Sequence, residues 1–161
     1  MSAVLSSPSV ERVRQALARS GISSAIVELP GAARTARAAA EFLGCAVGQI
    51  ANSLVFRGEA ADEALLVMSS GARRVDTRRL AALIGAPVGK ADAEFVRRAT
   101  GFAIGGVPPV GHAAPLRAFV ERSLAAHAEI WAAAGHPHTV FRLSYEELVR
   151  ITNATQADLA E

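Results

Sequence analysis

One segment limits what this chain can fold into more than any other. It is GFAIGGVPPVGHAAP, Gly101 to Pro115, with four glycines and three prolines. Proline lacks a backbone N–H and glycine pays the largest entropy on ordering, so neither a helix nor a central strand can run through it. Phe102 to Ile104 is apolar enough for a short strand; the rest must be a shaped loop. Glycine lets backbone approach a ligand, proline stiffens the path, and unpaired N–H groups on a rigid loop make a cradle for an anion or oxyanion. A tight structural turn would use the same residues. The spacing is neither a phosphate-binding Walker loop nor a dinucleotide fingerprint, since no Gly-Lys-Ser/Thr follows and no helix starts at the right place.

Around this loop the sequence alternates helix and strand signals. Ser7-Pro8 predicts a helix start, with Val10, Val13 and Leu17 on one face and Gly21 as the stop. Ala25 to Leu29 reads as a strand, and Thr35 caps a helix that Gly44 closes after Leu43. Ile50 to Phe56 and Ala64 to Ser69 read as antiparallel neighbours. Asp76 caps a helix holding Leu80, Leu83 and Ile84, and Asp92 caps another that ends near Gly101. Arg117 to Val120, Ile130 to Ala134 and Thr139 to Leu143 read as strands, with a short helix at Leu124 to Ala128. Ser144 and Glu147 form a capping box for the last helix, which turns Leu148 and Ile151 inward. From Asn153 the chain is expected to fray. The order implies an α+β fold, one domain over residues 1–161 with its core at about 9–153, and a mixed, partly barrel-like sheet surrounded by helices.

The 161 residues suit one domain, and 51% hydrophobic against 20% charged leaves enough apolar material for a core. The net charge of +2 is too small to indicate nucleic acid by itself. Lys90 is the only lysine among 17 basic residues. Arginine suits bidentate phosphate contact, though a GC-rich genome gives the same bias. Arg34, Arg37, Arg73, Arg74, Arg78, Arg79, Arg97 and Arg98 would together make a phosphate-tracking surface or an ordinary solvated face. The single Cys45 rules out an internal disulfide, no signal peptide is legible at Met1 to Ser9, and no apolar run spans a bilayer. These features predict a soluble, cytoplasmic protein with no membrane partner.

Few residues offer chemistry. Asn52 and Ser53 interrupt an apolar strand, and alternation turns one of them inward, where it needs a partner: a ligand or neighbouring backbone. His112 lies in the loop. His136 and His138 flank Pro137 in a turn, but no cysteine or carboxylate cluster completes a metal site around them. His136 reads as a solvated turn residue, His138 as a pocket wall and His127 as structural. No carboxylate pair and no Gly-x-Ser-x-Gly elbow is present.

Four stretches in order, IANSLVF from Ile50, LLVMSSGARRVD from Leu65, TGFAIGGVPPVGH from Thr100 and IWAAAGHPHTVFRLSYEEL from Ile130, resemble the YbaK/EbsC-type aminoacyl-tRNA deacylases, relatives of the editing insertion of bacterial prolyl-tRNA synthetases. The resemblance covers roughly Ser9 to Asn153. It implies an α+β fold and a metal-independent, cofactor-free hydrolase that cleaves the ester joining a wrong amino acid to tRNA. The family's Gly-x-x-x-Pro loop falls on Gly105 and Pro109. By that resemblance, backbone N–H groups near Gly105, Gly106 and Val107 hold the oxyanion, and water attacks with help from the substrate's ribose hydroxyl. Ser53, Pro108, Pro109, Gly111, His112 and His138 are then expected to contact substrate. Many relatives carry lysine where this chain has Asn52, so a charge is replaced by weaker neutral hydrogen bonds. The expected partner is the acceptor end of an aminoacyl-tRNA of the tRNA(Pro) type, with a cognate synthetase as a second partner and no role for DNA. Two other readings stay open: a binding module that holds an aminoacyl end, a nucleotide or a free amino acid without turnover, with Asn52 marking the lost function, and a domain that docks on a synthetase.

Overall fold

The local signals for helix ends are met by real caps. In the computed structural model, which describes residues 2–161, the Ser7 hydroxyl accepts from the Val10 N–H and opens α1 (Pro8–Arg19). Thr35 does the same for α2 (Ala36–Leu43), which Gly44 closes in the left-handed conformation. Asp76 and Asp92 cap α3 (Thr77–Ile84) and α4 (Ala93–Thr100). The reciprocal Ser144–Glu147 capping box starts α5 (Tyr145–Thr152).

The strands are β1 (Ile26–Glu28), β2 (Ile50–Gly58), β3 (Glu63–Ser70), β4 (Val88–Lys90), β5 (Arg117–Glu121), β6 (Ile130–Ala133), β7 (Thr139–Leu143) and β8 (Thr155–Ala157). They form one mixed sheet in the order β1-β7-β6-β2-β3-β5-β8, with β4 added on β2. β2 and β3 are antiparallel over eight residue pairs, Ala51 opposite Ser70 through Gly58 opposite Glu63. β2–β6, β3–β5 and β5–β8 are parallel. The fold is α+β as expected; the sheet curls among its helices without closing, since β1 and β8 end the path unpaired with each other.

Period-two alternation on β3 divides the core. Leu66 and Met68 face a large cluster with Val13, Leu17, Phe102, Val107, Phe141 and Leu148, which α1, α5 and the glycine-rich loop cover. Leu65 and Val67 face the opposite side with Leu80, Phe119 and Leu159. Full burial of each such side chain contributes about 1.5–3 kcal/mol. A third cluster joins Ala39 and Ala40 of α2 to Ile50. Its small alanines let the helix lie close to the start of β2, which is how the N-terminus of α2 reaches the site.

Three sequence expectations are corrected, and one strand was not foreseen. Phe102 to Ile104 is not a strand: the Thr100 hydroxyl accepts from the Phe102 N–H, Gly106 N–H donates to Ala103, and Phe102 serves as a buried anchor. The short helix is a 3-10 turn at Arg122–Ala126, started by the Glu121 carboxylate accepting from the Ser123 N–H. β4 has no legible signal, since its middle residue is Gly89 and it is only three residues long. The end of the chain does not fray. β8 pairs with β5, Leu159 is buried, and its carbonyl accepts from the Asp76 N–H at 2.6 Å.

Candidate functional site

The site arises where two parallel strands part. β6 pairs with β2 only at Ile50–Trp131 and Ala51–Ala132. β4 joins the same edge of β2 only from Phe56. Between them, Asn52 to Val55 pair with β3 on one side and with no strand on the other. A sheet edge left open inside a fold presents unpaired backbone groups. Here that edge borders a cavity of about 270 Å³.

The cavity draws on three further pieces of chain. The start of α2 supplies Arg34, Thr35, Ala36 and Ala39; the β6–β7 hairpin supplies Trp131, Ala133, Pro137, Thr139 and Val140; the loop supplies Ile104, Gly105 and Val107. Asn52, Ser53 and Leu54 form the β2 wall. Arg34 is the only charged residue in the lining, which contains no carboxylate, histidine, lysine or cysteine. Among the described residues, no group of three or more His, Cys, Asp or Glu side chains is placed to hold a metal ion.

The loop is held from both ends. Ala113 N–H donates to the Thr100 carbonyl at 2.9 Å. The Arg12 guanidinium donates to Gly101 and lies 4.6 Å from the centre of the Phe102 ring. Phe102, Val107 and Val110 are sunk in the main core. At the tip, Gly105 has φ +92°, a conformation that side chains disfavour. Gly106 packs so tightly on the β6–β7 turn that a Cβ there would lie 3.0 Å from His136 Cα. This contact fixes the loop against the hairpin and sets the width of the cavity between them.

The three expected oxyanion donors differ in consequence. Gly106 N–H is already committed to Ala103 at 3.0 Å, and Gly106 is not part of the cavity lining. Gly105 and Val107 do line it, and neither N–H donates to another backbone group among the described residues. Asn52 lines the cavity half-buried, with no hydrogen bond to its amide among the described residues. Ser53 borders the cavity too, from the opposite face of the strand to Asn52, with its hydroxyl 3.4 Å from Met68 Sδ.

The remaining expected residues fall elsewhere. Pro109, Gly111 and His112 border a separate groove on the far side of the loop, beside Arg19 and Asn153. Pro108 is buried, and its carbonyl accepts from His112 Nε2 at 2.7 Å. A carbonyl only accepts, so this contact puts the proton on Nε2. Burial lowers the His112 pKa, against a smaller upward pull from that bond. His138 is in the β6–β7 turn but is not part of the cavity lining. Its N–H donates to His136 Nδ1 and its carbonyl accepts from Leu29, while its neighbours Pro137 and Thr139 face the cavity. His136 is half-buried, its ring edge-on to His138 at 5.1 Å.

Sequence reasoning counted Arg34 among candidate phosphate contacts and Thr35 as a helix cap without putting either at this cavity, and it missed Trp131 and Thr139. Trp131 had a usable signal: alternation on β6 buries Ile130 and Ala132 and turns Trp131 to the other face, beside Ile50. No local signal puts Arg34 and Thr35 at the cavity, because only the packing of α2 on Ile50 brings them there.

The chain is similar to known proteins over most of its length. The family model described as aminoacyl-tRNA editing domain matches residues 31–151, which includes β2, the loop and the hairpin. A crystal structure of a proposed trans-editing enzyme for prolyl tRNA synthetase is 47% identical, with TM-score 0.90 over 96% of this chain and 98% of that one. The crystal structure of hypothetical protein APE2540 is 28% identical, with TM-score 0.86 over 93% of this chain and 99% of that one. The uncharacterized protein YwhH of Bacillus subtilis (strain 168) is 29% identical over 123 residues, 76% of this chain and 78% of that protein.

Proposed function

Because the chain belongs to the aminoacyl-tRNA editing domain family, we propose that it is a trans-acting hydrolase that removes a wrong amino acid from tRNA, with tRNA(Pro)-type esters as substrates. The observation that supports this reading is that Gly105 and Val107, whose N–H groups donate to no other backbone group among the described residues, line one cavity with Asn52 at the open edge of β2. The acyl group sits between Trp131, Ala133 and Val140, and the ester carbonyl points at the loop.

The chemistry needs little from side chains. Water adds to the ester carbonyl carbon, and the negative charge that develops on its oxygen is met by the Gly105 and Val107 N–H groups. The bond from carbonyl carbon to ribose oxygen then breaks. The ribose oxygen takes the proton that the water loses, relayed by the neighbouring ribose hydroxyl, and free amino acid leaves. The lining has no acid or base to do this, so the substrate's own hydroxyl fits the role. An aminoacyl ester is already activated, and one oxyanion donor contributes about 10²–10³ in kcat. Asn52 supplies neutral donors where many relatives have lysine, and Arg34 at the rim meets a terminal phosphate.

Incubation with tRNAs carrying Ala, Cys or Ser, with and without EDTA, tests the reading. Release of one amino acid at a rate unaffected by chelation is expected. Intact charged tRNA that stays bound would instead make the chain a binding module.

A further inference from the structure

Asn52 and Ser69 stand directly opposite each other in the antiparallel β2–β3 ladder. Opposed residues project from the same sheet face with Cβ atoms about 4.5–5.5 Å apart. Ser69 is 1% exposed, and its Oγ is the one buried side-chain nitrogen or oxygen among the described residues that has no hydrogen-bond partner. The serine beside it is satisfied: Ser70 Oγ donates to Gly48 and accepts from the Ala72 N–H. Leu65 and Val67, which share a face of β3 with Ser69, are apolar, so alanine would pack there without an orphaned hydroxyl. A buried hydroxyl with no partner costs stability unless something engages it. The group nearest by register is the Asn52 amide, itself unpaired at the cavity wall.

We propose that Ser69 is a positioning residue for Asn52: with substrate bound, its hydroxyl donates to Asn52 Oδ1 and so turns both amide N–H groups into the cavity. An asparagine amide offers an acceptor at one end and two donors at the other. The carbonyl and phosphate oxygens of an aminoacyl-tRNA end take only donors. Occupying Oδ1 with the Ser69 hydroxyl fixes the useful orientation and gives the buried oxygen its partner. Neutral amide donors in place of a lysine charge depend more on orientation, which gives the hydroxyl its purpose. This rests on the reading of Asn52 as a donor to substrate.

The test compares the full chain with Ser69→Ala, Ser69→Thr, Asn52→Ala and the Asn52→Ala/Ser69→Ala double variant. Readouts are single-turnover deacylation, KM, the thermal midpoint and affinity for a non-hydrolysable amide-linked aminoacyl-adenosine. Ser69→Ala should unfold no earlier than wild type yet lose about tenfold in rate, with KM changed by less than about twofold. Ser69→Thr, which keeps the hydroxyl, should recover most of the rate. The double variant should be no slower than Asn52→Ala alone, because Ser69 acts through Asn52. An unchanged rate in Ser69→Ala, or additive losses in the double variant, overturns the positioning role while leaving the hydrolase intact. Full activity in Asn52→Ala overturns the role of Asn52 and that of Ser69 with it. If wild type hydrolyses nothing, analogue affinity decides: equal weakening by Ser69→Ala and Asn52→Ala supports the pair, and no weakening by Ser69→Ala refutes it.

Discussion

His112 Nε2 donates to the Pro108 carbonyl at 2.7 Å, on the side of the loop away from the cavity. The ring ties its own stretch of the loop back to Pro108, and burial favours its neutral form. Its pKa is pushed below the ordinary 6.5, so the unfolded chain takes up this proton at higher pH than the folded chain. The stability this ring contributes is full above about pH 6.5 and is lost as pH falls from there through the lowered folded value. Urea midpoints should therefore drop between pH 7 and pH 5. His112→Gln should show a shallower drop, and an equal slope would remove the imidazole as the cause.

Gly106 tests the loop–hairpin contact. A Cβ at this position meets His136 Cα and N at 3.0 Å, so Gly106→Ala must push the loop from the hairpin. Since the donors at Gly105 and Val107 move with it, deacylation should fall by about 10²–10³. Circular dichroism should still report a folded chain. Wild-type rates in this variant would mean that the loop does not need its present seat.

Arg34 is exposed at the cavity rim, and none of the ion pairs among the described residues includes it. If it meets a phosphate, Arg34→Ala should raise KM for charged tRNA with little change in kcat. The dependence of log affinity on log salt should lose a slope of about 0.7–0.9, the share of one phosphate contact. An unchanged salt slope would place Arg34 on a solvated surface only.

The C-terminal strand predicts a stability effect remote from the cavity. Leu159 is 1% exposed in the cluster with Leu80 and Phe119, and its N–H donates to the buried Glu121 carboxylate. Leu159→Ala should cost about 2–5 kcal/mol in denaturant unfolding. A loss under about 0.5 kcal/mol would return this segment to the frayed tail that its polar sequence suggests.

Capping residues made the helices legible. Ser7, Thr35, Asp76, Asp92 and Ser144 each announce a helix start within a few residues of sequence, and each cap forms. Long strands with apolar alternation, β2 and β3, were equally plain. What escaped depends on distant partners. β8 is a strand only because β5 offers it an edge, and Leu159 is core only because α3 and Phe119 roof it. The loop was legible as a shaped, non-regular segment because glycine and proline have local meanings. Which of its N–H groups remain free was not, since that turns on the single Gly106–Ala103 bond. His112 was read as a substrate contact and His138 as a pocket wall; the fold sets His112 against Pro108 beside a separate groove and leaves His138 in the β6–β7 turn, outside the cavity lining.

The central claim is that the cavity between the open edge of β2 and the Gly105–Val107 loop cleaves aminoacyl esters. Single-turnover hydrolysis of tRNA(Pro) carrying Ala, Cys or Ser, wild type beside Gly105→Pro, tests it most directly. Proline cannot adopt the φ of +92° held by Gly105, so the variant must lose its loop geometry. Rapid release of one amino acid by wild type, reduced to the spontaneous rate in a Gly105→Pro chain that still folds, is the predicted result. No release across the three esters, or equal release by both proteins, would contradict it.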